Sequence, residues 1–189
     1  MTALFVGAAY LCGSIPFGLL ITRAASGKDV REVGSGNIGA TNVARAAGKT
    51  AAIATLVLDA EKGLLPVLAA ARFGPAGPLL APACAVAAVA GHCFPVWLRF
   101  RGGKGVATGL GVSLALAPWA ALAGGVTWLT FYALLRISSV GSLGGVAVAI
   151  AVAAVTGSRP SLYGLVAVAL IILARHTGNI RRLLAHTES

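Results

Sequence analysis

Charge is what this sequence has least of. Only 11% of its 189 residues are Asp, Glu, Lys or Arg, with five acidic side chains against fifteen basic ones. Soluble domains carry roughly 25% charged residues, so a water-soluble globule is excluded. Hydrophobic residues make up 58% of the chain and the mean hydropathy is +0.89. Cysteine is scarce as well. Cys12, Cys84 and Cys93 lie in or at the edge of apolar runs, form no CxxC pair, and have no His or carboxylate cluster beside them to complete a metal set. They read as small packing residues. Aromatics are only 6%, and no stripe of Lys or Arg interleaved with them appears, so the net charge of +10 does not point to nucleic acid. The amino-terminus lacks the basic leader and small-residue cleavage site of a signal peptide, so the first apolar run is expected to stay as an anchor.

What the chain has instead is hydrophobic length. A membrane-crossing helix needs about 20 apolar residues, and 2–23, 50–71, 78–98, 139–157 and 160–176 qualify as candidates. The run 105–135 is too long for one crossing, and Pro118 within it ends or kinks a helix. Splitting it there predicts two short spans and seven crossings. Charge supports the odd number. With seven, nearly all Lys and Arg fall on one face, with Arg72 and Arg159 opposite and Lys62 inside a span; with six, the cations divide much more evenly. The positive-inside rule then puts the N-terminus outside and the C-terminus in the cytoplasm. The expectation is a single domain over 1–189, an all-α integral membrane protein of seven transmembrane helices. Its glycines, among them Gly109, Gly111, Gly124, Gly125, Gly144 and Gly145, read mainly as close helix packing. Gly13–Gly18, around Pro16, reads as a kink whose freed carbonyl pairs with Ser14 or a neighbouring helix.

Four polar clusters interrupt the apolar chain: 35-SGNIGATNVAR-45, 99-RFRGGKGVAT-108, 136-RISSVGS-142 and 175-RHTGNIRRL-183. The seven-crossing count brings all four to the cytoplasmic face. In the first, Ser35, Gly36, Asn37, Gly39, Thr41 and Asn42 favour a turn with exposed N–H groups that can form a nest for an anion. Arg45 follows one helical turn after Thr41. In the second, Gly102 and Gly103 let backbone approach a ligand closely, and Lys104 stands as a mobile cation before a helix N-terminus. This is not a Walker A loop, because Gly105 stands where Ser or Thr must bind Mg²⁺. His176 and Asn179 are three apart and share a helix face, while Arg181 and Arg182 read as dipole and headgroup partners. Ser142 is within reach of the same cleft. Asp59, Glu61 and Lys62 lie deep in the second span, where an ionisable group is costly; mutual neutralisation of Asp59 and Lys62 at i,i+3 is the preferred reading. His92 is read as hydrogen-bonded to a carbonyl near the interface. Neither a nucleophile elbow nor a Ser-His-Asp pattern is visible, so an enzyme built from these groups would need an electrophile that arrives activated.

Together, 13-GSIPFG-18, 35-SGNIGATN-42, 59-DAEKG-63, 91-GHCFPVW-97, 100-FRGGKGVAT-108 and the Arg175-His176, Asn179-Ile180 and Arg182-Leu183 pairs resemble the bacterial acyl-phosphate:glycerol-3-phosphate acyltransferases, the PlsY family, in order and over nearly the whole chain. The resemblance implies a seven-helix inner-membrane enzyme with a cytoplasmic site, making 1-acyl-glycerol-3-phosphate without acyl-CoA, acyl carrier protein, metal or other cofactor. It implies that the Ser35–Thr41 loop, helped by Gly102 and Gly103, cradles the phosphate of acyl phosphate. Arg45, Lys104, Ser142, His176 and Asn179 would hold glycerol 3-phosphate, with Lys104, Ser35, His176 and Asn179 in the catalytic set. The acyl chain would run into bilayer lipid, and no obligatory protein partner is evident. The His-x4-Asp signature of acyl-CoA-dependent enzymes is missing, since Trp97 and Arg181 occupy the fifth positions after His92 and His176. The tail departs from the family pattern at Thr177, Gly178 and His186, where charged residues and a Gly before the terminal Thr-Glu are common, but keeps His176, Asn179 and Glu188. A small-anion transporter is the rival reading; it expects a midplane site between broken helices.

Overall fold

A computed structural model describes residues 1–188, and every regular element among them is helical. Helix α1 (Thr2–Gly13) and α2 (Phe17–Ser26) form one broken span, interrupted at Ser14-Ile15-Pro16. A 3₁₀ turn at Val30–Glu32 leads to α3 (Ala40–Phe73). Then come α4 (Leu80–Cys93) with a 3₁₀ turn at Val96–Leu98, α5 (Val106–Leu116), α6 (Pro118–Leu135), α7 (Ser138–Thr156), α8 (Arg159–Arg175) and α9 (Thr177–Leu184). Four segments are long and apolar enough to cross a membrane: Thr2–Ser26, Leu80–Leu98, Pro118–Leu135 and Ser138–Thr156. The pair α8–α9, bent by 57°, makes a fifth. The two remaining candidates depart from that pattern for physical reasons. Helix α3 carries Asp59, Glu61 and Lys62 in its middle, and α5, with 11 residues, is only about 16 Å long at 1.5 Å per residue. Pro118 does divide the long apolar run, as the sequence predicts, at an Ala117 with φ −156° and ψ 80°.

Helix α3 starts ten residues earlier than its predicted span. Gly48 (φ 85°, ψ 176°) breaks it into a short helix over 40–47 and a long one over 49–73, a backbone geometry open chiefly to glycine. Thr41 and Asn42 therefore lie on a helix, not in the open turn expected for them, and Arg45 follows Thr41 one turn further along it. Helix α4 is the axis of the bundle. Its Cys84, Ala85, Ala88, Val89 and Cys93 are buried together with Ala9 of α1, Val67 of α3, Val112 of α5 and Val168 and Ile172 of α8. The cysteines thus pack as predicted, and Cys84 and Cys93 are buried and free. A second cluster of Leu19, Val30, Ile38, Val43, Ala46 and Ala51 pins the polar loop to α2 and α3.

Lipid provides no hydrophobic drive between helices, so close backbone contact supplies the association. A Cβ at Gly63 would stand 2.4 Å from the Thr108 carbonyl oxygen, and one at Gly111 only 1.9 Å from that of Ala60. Gly124 and Gly145 meet in the same way between α6 and α7, whereas Gly125 has room to spare. At the kink of the first span, the Ile15 carbonyl accepts from Lys62 Nζ of α3 at 2.7 Å. Ser14, the other predicted partner, donates instead to Tyr10.

Candidate active site

All four polar clusters converge on one face of the bundle. Thr41 Oγ1 lies 3.1 Å from Ser138 Oγ, joining the first cluster to the third. Arg175 donates through Nε to the Gly103 carbonyl (3.1 Å) and through Nη2 to that of Gly102 (3.0 Å), joining the fourth to the second. The Glu188 carboxylate accepts from Ser139, Asn179 and Arg182, joining the third to the fourth. Gly36 and Gly102 line a common cleft of about 460 Å³ with Asp29, Arg31, Leu98, Phe100 and Arg175.

The Ser35–Thr41 segment is less open than the nest expected from its composition. The amides of Ser35, Gly36 and Gly39 are taken by Asn42 Oδ1, the Val33 carbonyl and Asn37 Oδ1 respectively. Asn42, predicted to touch ligand, is instead the staple of the loop. It is buried, and its Nδ2 serves the carbonyls of Val30, Val33 and Asn37 at 2.9 Å each. What the segment offers outward is the exposed Ser35, the half-buried Asn37, Thr41, and the first two amides of α3, those of Ala40 and Thr41, since the amides of Asn42 and Val43 go to the Gly39 carbonyl.

Gly102 and Gly103 likewise do something other than predicted. Their N–H groups go to the carbonyls of Cys93 and His92 at 3.1 Å, and their own carbonyls go to Arg175. With both donors used in this way, they fix the loop that carries Lys104. A Cβ at Gly103 would sit 2.1 Å from His92 Nε2, so glycine is needed for the loop to lie this close to α4. Beneath it, Lys62 Nζ pairs with Asp59 Oδ1 at 2.6 Å, the i,i+3 pair read from sequence. His92 Nδ1 lies 3.7 Å from the same Asp59 oxygen and has no hydrogen-bond partner among the described residues. Nδ1 thus faces Asp59 and does not make the carbonyl contact expected for the ring. Glu61 is exposed on the opposite side of α3.

Lys104 itself is half-buried and makes no hydrogen bond or ion pair among the described residues. Burial pushes its pKa below the ordinary lysine value; Glu188 counters this, and the positive fields of Arg182, Arg175 and Arg45 add to the lowering. Lys104 thus feels three arginines and the Glu188 carboxylate, brought to it by different segments. His176, fully buried at the joint of α8 and α9, has Nδ1 2.8 Å from the Ile172 carbonyl. That contact fixes Nδ1 as the protonated nitrogen and leaves Nε2 with its lone pair. Asn179 is also buried, its Nδ2 donating to Glu188 Oε1. Ser142 is buried in α7 with its hydroxyl given to the Ser138 carbonyl (2.8 Å), so only its lone pairs remain for a ligand. Arg182, assigned from sequence to headgroups, pairs with Glu188 Oε2 at 2.6 Å.

Sequence reasoning missed the tethering role of Arg175, and it missed Ser139 and Glu188 as partners. Arg175 stands beside His176 in a motif already singled out, and Ser139 next to Ser138, so position pointed to both; direction did not.

Known proteins are similar to this chain over its whole length. The chain matches the family described as glycerol-3-phosphate acyltransferase over residues 3–186. The glycerol-3-phosphate acyltransferase of Anaeromyxobacter dehalogenans is 56% identical over 191 aligned positions, covering 98% of this chain and 95% of the relative. That of Myxococcus xanthus is 50% identical, covering 100% and 98%. The crystal structure of PlsY, an integral membrane glycerol 3-phosphate acyltransferase, in its glycerol 3-phosphate form superposes with a TM-score of 0.92 at 39% identity, covering all of this chain and 94% of that one. Its lysophosphatidic acid form gives 0.90 at 37% identity, with the same coverage. A family match over nearly the whole chain, relatives that are half or more identical along their full length, and a shared helical fold leave one assignment: the chain belongs to the glycerol-3-phosphate acyltransferases of the PlsY family, integral membrane proteins of bacteria.

Proposed function

We propose that this enzyme transfers a fatty acyl group from acyl phosphate to the 1-hydroxyl of sn-glycerol 3-phosphate, releasing 1-acyl-glycerol-3-phosphate (lysophosphatidic acid) and inorganic phosphate. The observation that carries the reading is that the half-buried Lys104 lies in the positive fields of Arg45, Arg175 and Arg182, beside the Glu188 carboxylate. Such an excess of positive charge in a half-buried site calls for anions, and two phosphoryl groups supply them. The hydroxyl oxygen attacks the acyl carbon, the bond from that carbon to the phosphate oxygen breaks, and the electron pair leaves on phosphate. Lys104 stabilises the charge that gathers there. Ser35, Asn37, Thr41 and the amides of Ala40 and Thr41 at the head of α3 cradle the departing phosphate, while Arg45, Ser142 and Asn179 hold the acceptor. The hydroxyl proton passes to His176 Nε2 or to the acceptor's own phosphate. The kcat of His176→Gln separates the two: a loss of about 100-fold or more assigns the proton to histidine, near-normal turnover to phosphate.

Seven crossings, an outside N-terminus and a site open to the cytoplasm of the inner membrane complete the proposal, with the acyl chain lying between helices in the bilayer. Cations gathered on one face support this orientation. The purified protein should release phosphate from palmitoyl phosphate only when glycerol 3-phosphate is present. Substrate flux into liposomes without an acyl product would instate the transporter reading. Arg45→Ala should raise the KM for glycerol 3-phosphate by about tenfold with kcat little changed, the signature of lost uniform binding; an unchanged KM removes Arg45 from the acceptor site.

A further inference from the structure

Past the end of α9 the chain makes a tight reversal. His186 adopts φ 55°, its N–H bonds the Leu183 carbonyl at 3.1 Å, and the Thr187 N–H bonds that of Arg182 at 2.8 Å. This pair of bonds around a left-handed residue is a Schellman motif, and it is completed here by histidine where glycine would sit without strain. The reversal sends Glu188 back toward α7 and α9. Its side chain is only 6% exposed. Oε1 accepts from Ser139 Oγ at 2.7 Å and from Asn179 Nδ2, and Oε2 accepts from Arg182 Nε at 2.6 Å.

A carboxylate only accepts hydrogen bonds, so it dictates which end of the Asn179 amide faces it. The NH₂ turns to Glu188, and Oδ1 becomes the atom offered elsewhere. We propose that Glu188 is a positioning residue for the acceptor substrate: it fixes the Asn179 amide so that Oδ1 receives a hydroxyl of glycerol 3-phosphate. This rests on the proposed reading of the Arg45, Lys104 and Asn179 cluster as the acceptor site. Glu188 does not plug that site, because among the described residues it makes no ion pair with Lys104, and its three donors are separate from Lys104 and Arg45. The tie to Ser139 matters as well. It anchors the carboxylate to α7, so the amide is referenced to the bundle and not merely to its own short helix.

The test uses full-length protein in detergent, measuring glycerol 3-phosphate binding by calorimetry without donor, then KM and kcat for both substrates. Glu188→Ala should weaken glycerol 3-phosphate about tenfold, as loss of a buried hydrogen-bond partner does, with the KM for palmitoyl phosphate within about twofold of wild type. Glu188→Gln retains an acceptor oxygen for Asn179 and should restore most of that affinity. His186→Pro cannot take the left-handed turn and should reproduce Glu188→Ala with the carboxylate intact. In an Asn179→Ala background, Glu188→Ala should add little. Tighter binding in Glu188→Ala would mean that the tail competes for the pocket, and overturns the proposal. So would unchanged affinity in Glu188→Ala or His186→Pro, or equal changes for both substrates. If wild type binds glycerol 3-phosphate but releases no phosphate from the donor, the donor reading fails while the affinity series still judges Glu188. If wild type binds none, the acceptor-site reading fails and this proposal falls with it.

Discussion

Lys104→Ala lowers kcat by about 100- to 1,000-fold, the scale for removing one well-placed donor from a developing negative charge. The fold survives the change. Lys104 has no partner among the described residues to leave stranded, and its loss relieves repulsion among Arg45, Arg175 and Arg182. The loop that carries it is held independently, through the Gly102 and Gly103 bonds to Cys93, His92 and Arg175. Thermal unfolding should therefore move little while turnover collapses; near-normal turnover would remove Lys104 from the chemistry. The same residue sets a pH limit. An ammonium binds phosphate only while protonated, so the function is present below its pKa and lost as pH rises through it. Because burial and neighbouring cations lower that pKa, the alkaline limb of kcat/KM should fall below the pH at which an ordinary lysine titrates. Lys104→Arg, whose guanidinium stays charged, should move that limb upward even if its peak rate is reduced.

Lys62→Ala is expected to do the opposite: it damages the fold first. Its ammonium is buried, pairs with Asp59, and caps the Ile15 carbonyl freed by the break before Pro16. Removing one member of a buried pair costs about 3–5 kcal/mol, because the survivor is left uncompensated. That is a fall in Tm on the order of 10 °C for a chain of this size. Replacing both charges, as Asp59→Leu/Lys62→Met, should lose less than either single change, since no lone charge remains. Melting curves in detergent decide this. Additive losses in the double variant would show that the two side chains stabilise the bundle separately.

Much of this arrangement was legible because the membrane simplifies the reading. Run lengths and cation asymmetry sorted four distant clusters onto one face, and Thr41–Ser138, Arg175–Gly102 and Ser139–Glu188–Asn179 are the contacts that join them. The Asp59–Lys62 pair was legible because helical spacing alone brings the two together. Direction was not legible. Asn42 has the composition of a ligand-binding loop residue, yet its amide turns inward because three carbonyls of the 30–37 segment need a donor. Gly102 and Gly103 look like a phosphate cradle until α4's terminal carbonyls take their amides. The break at Gly48 was hidden because glycine is also an ordinary packing residue in these helices. Glu188 was hidden because its placement depends on a turn closed by a histidine.

The seating of Gly63 on Thr108 and of Gly111 on Ala60 has a mechanical result. Helix α5 cannot be pushed along α3 without driving a backbone oxygen into the opposing chain, so the ammonium that heads α5 stays at one height above the hydrocarbon. An amphiphile is ranked in the bilayer by the same boundary, tail below and headgroup at the surface. With acyl phosphate as the proposed donor, enzyme and substrate would share a common zero of depth, and drifting sideways would be enough to bring the anhydride level with the cation.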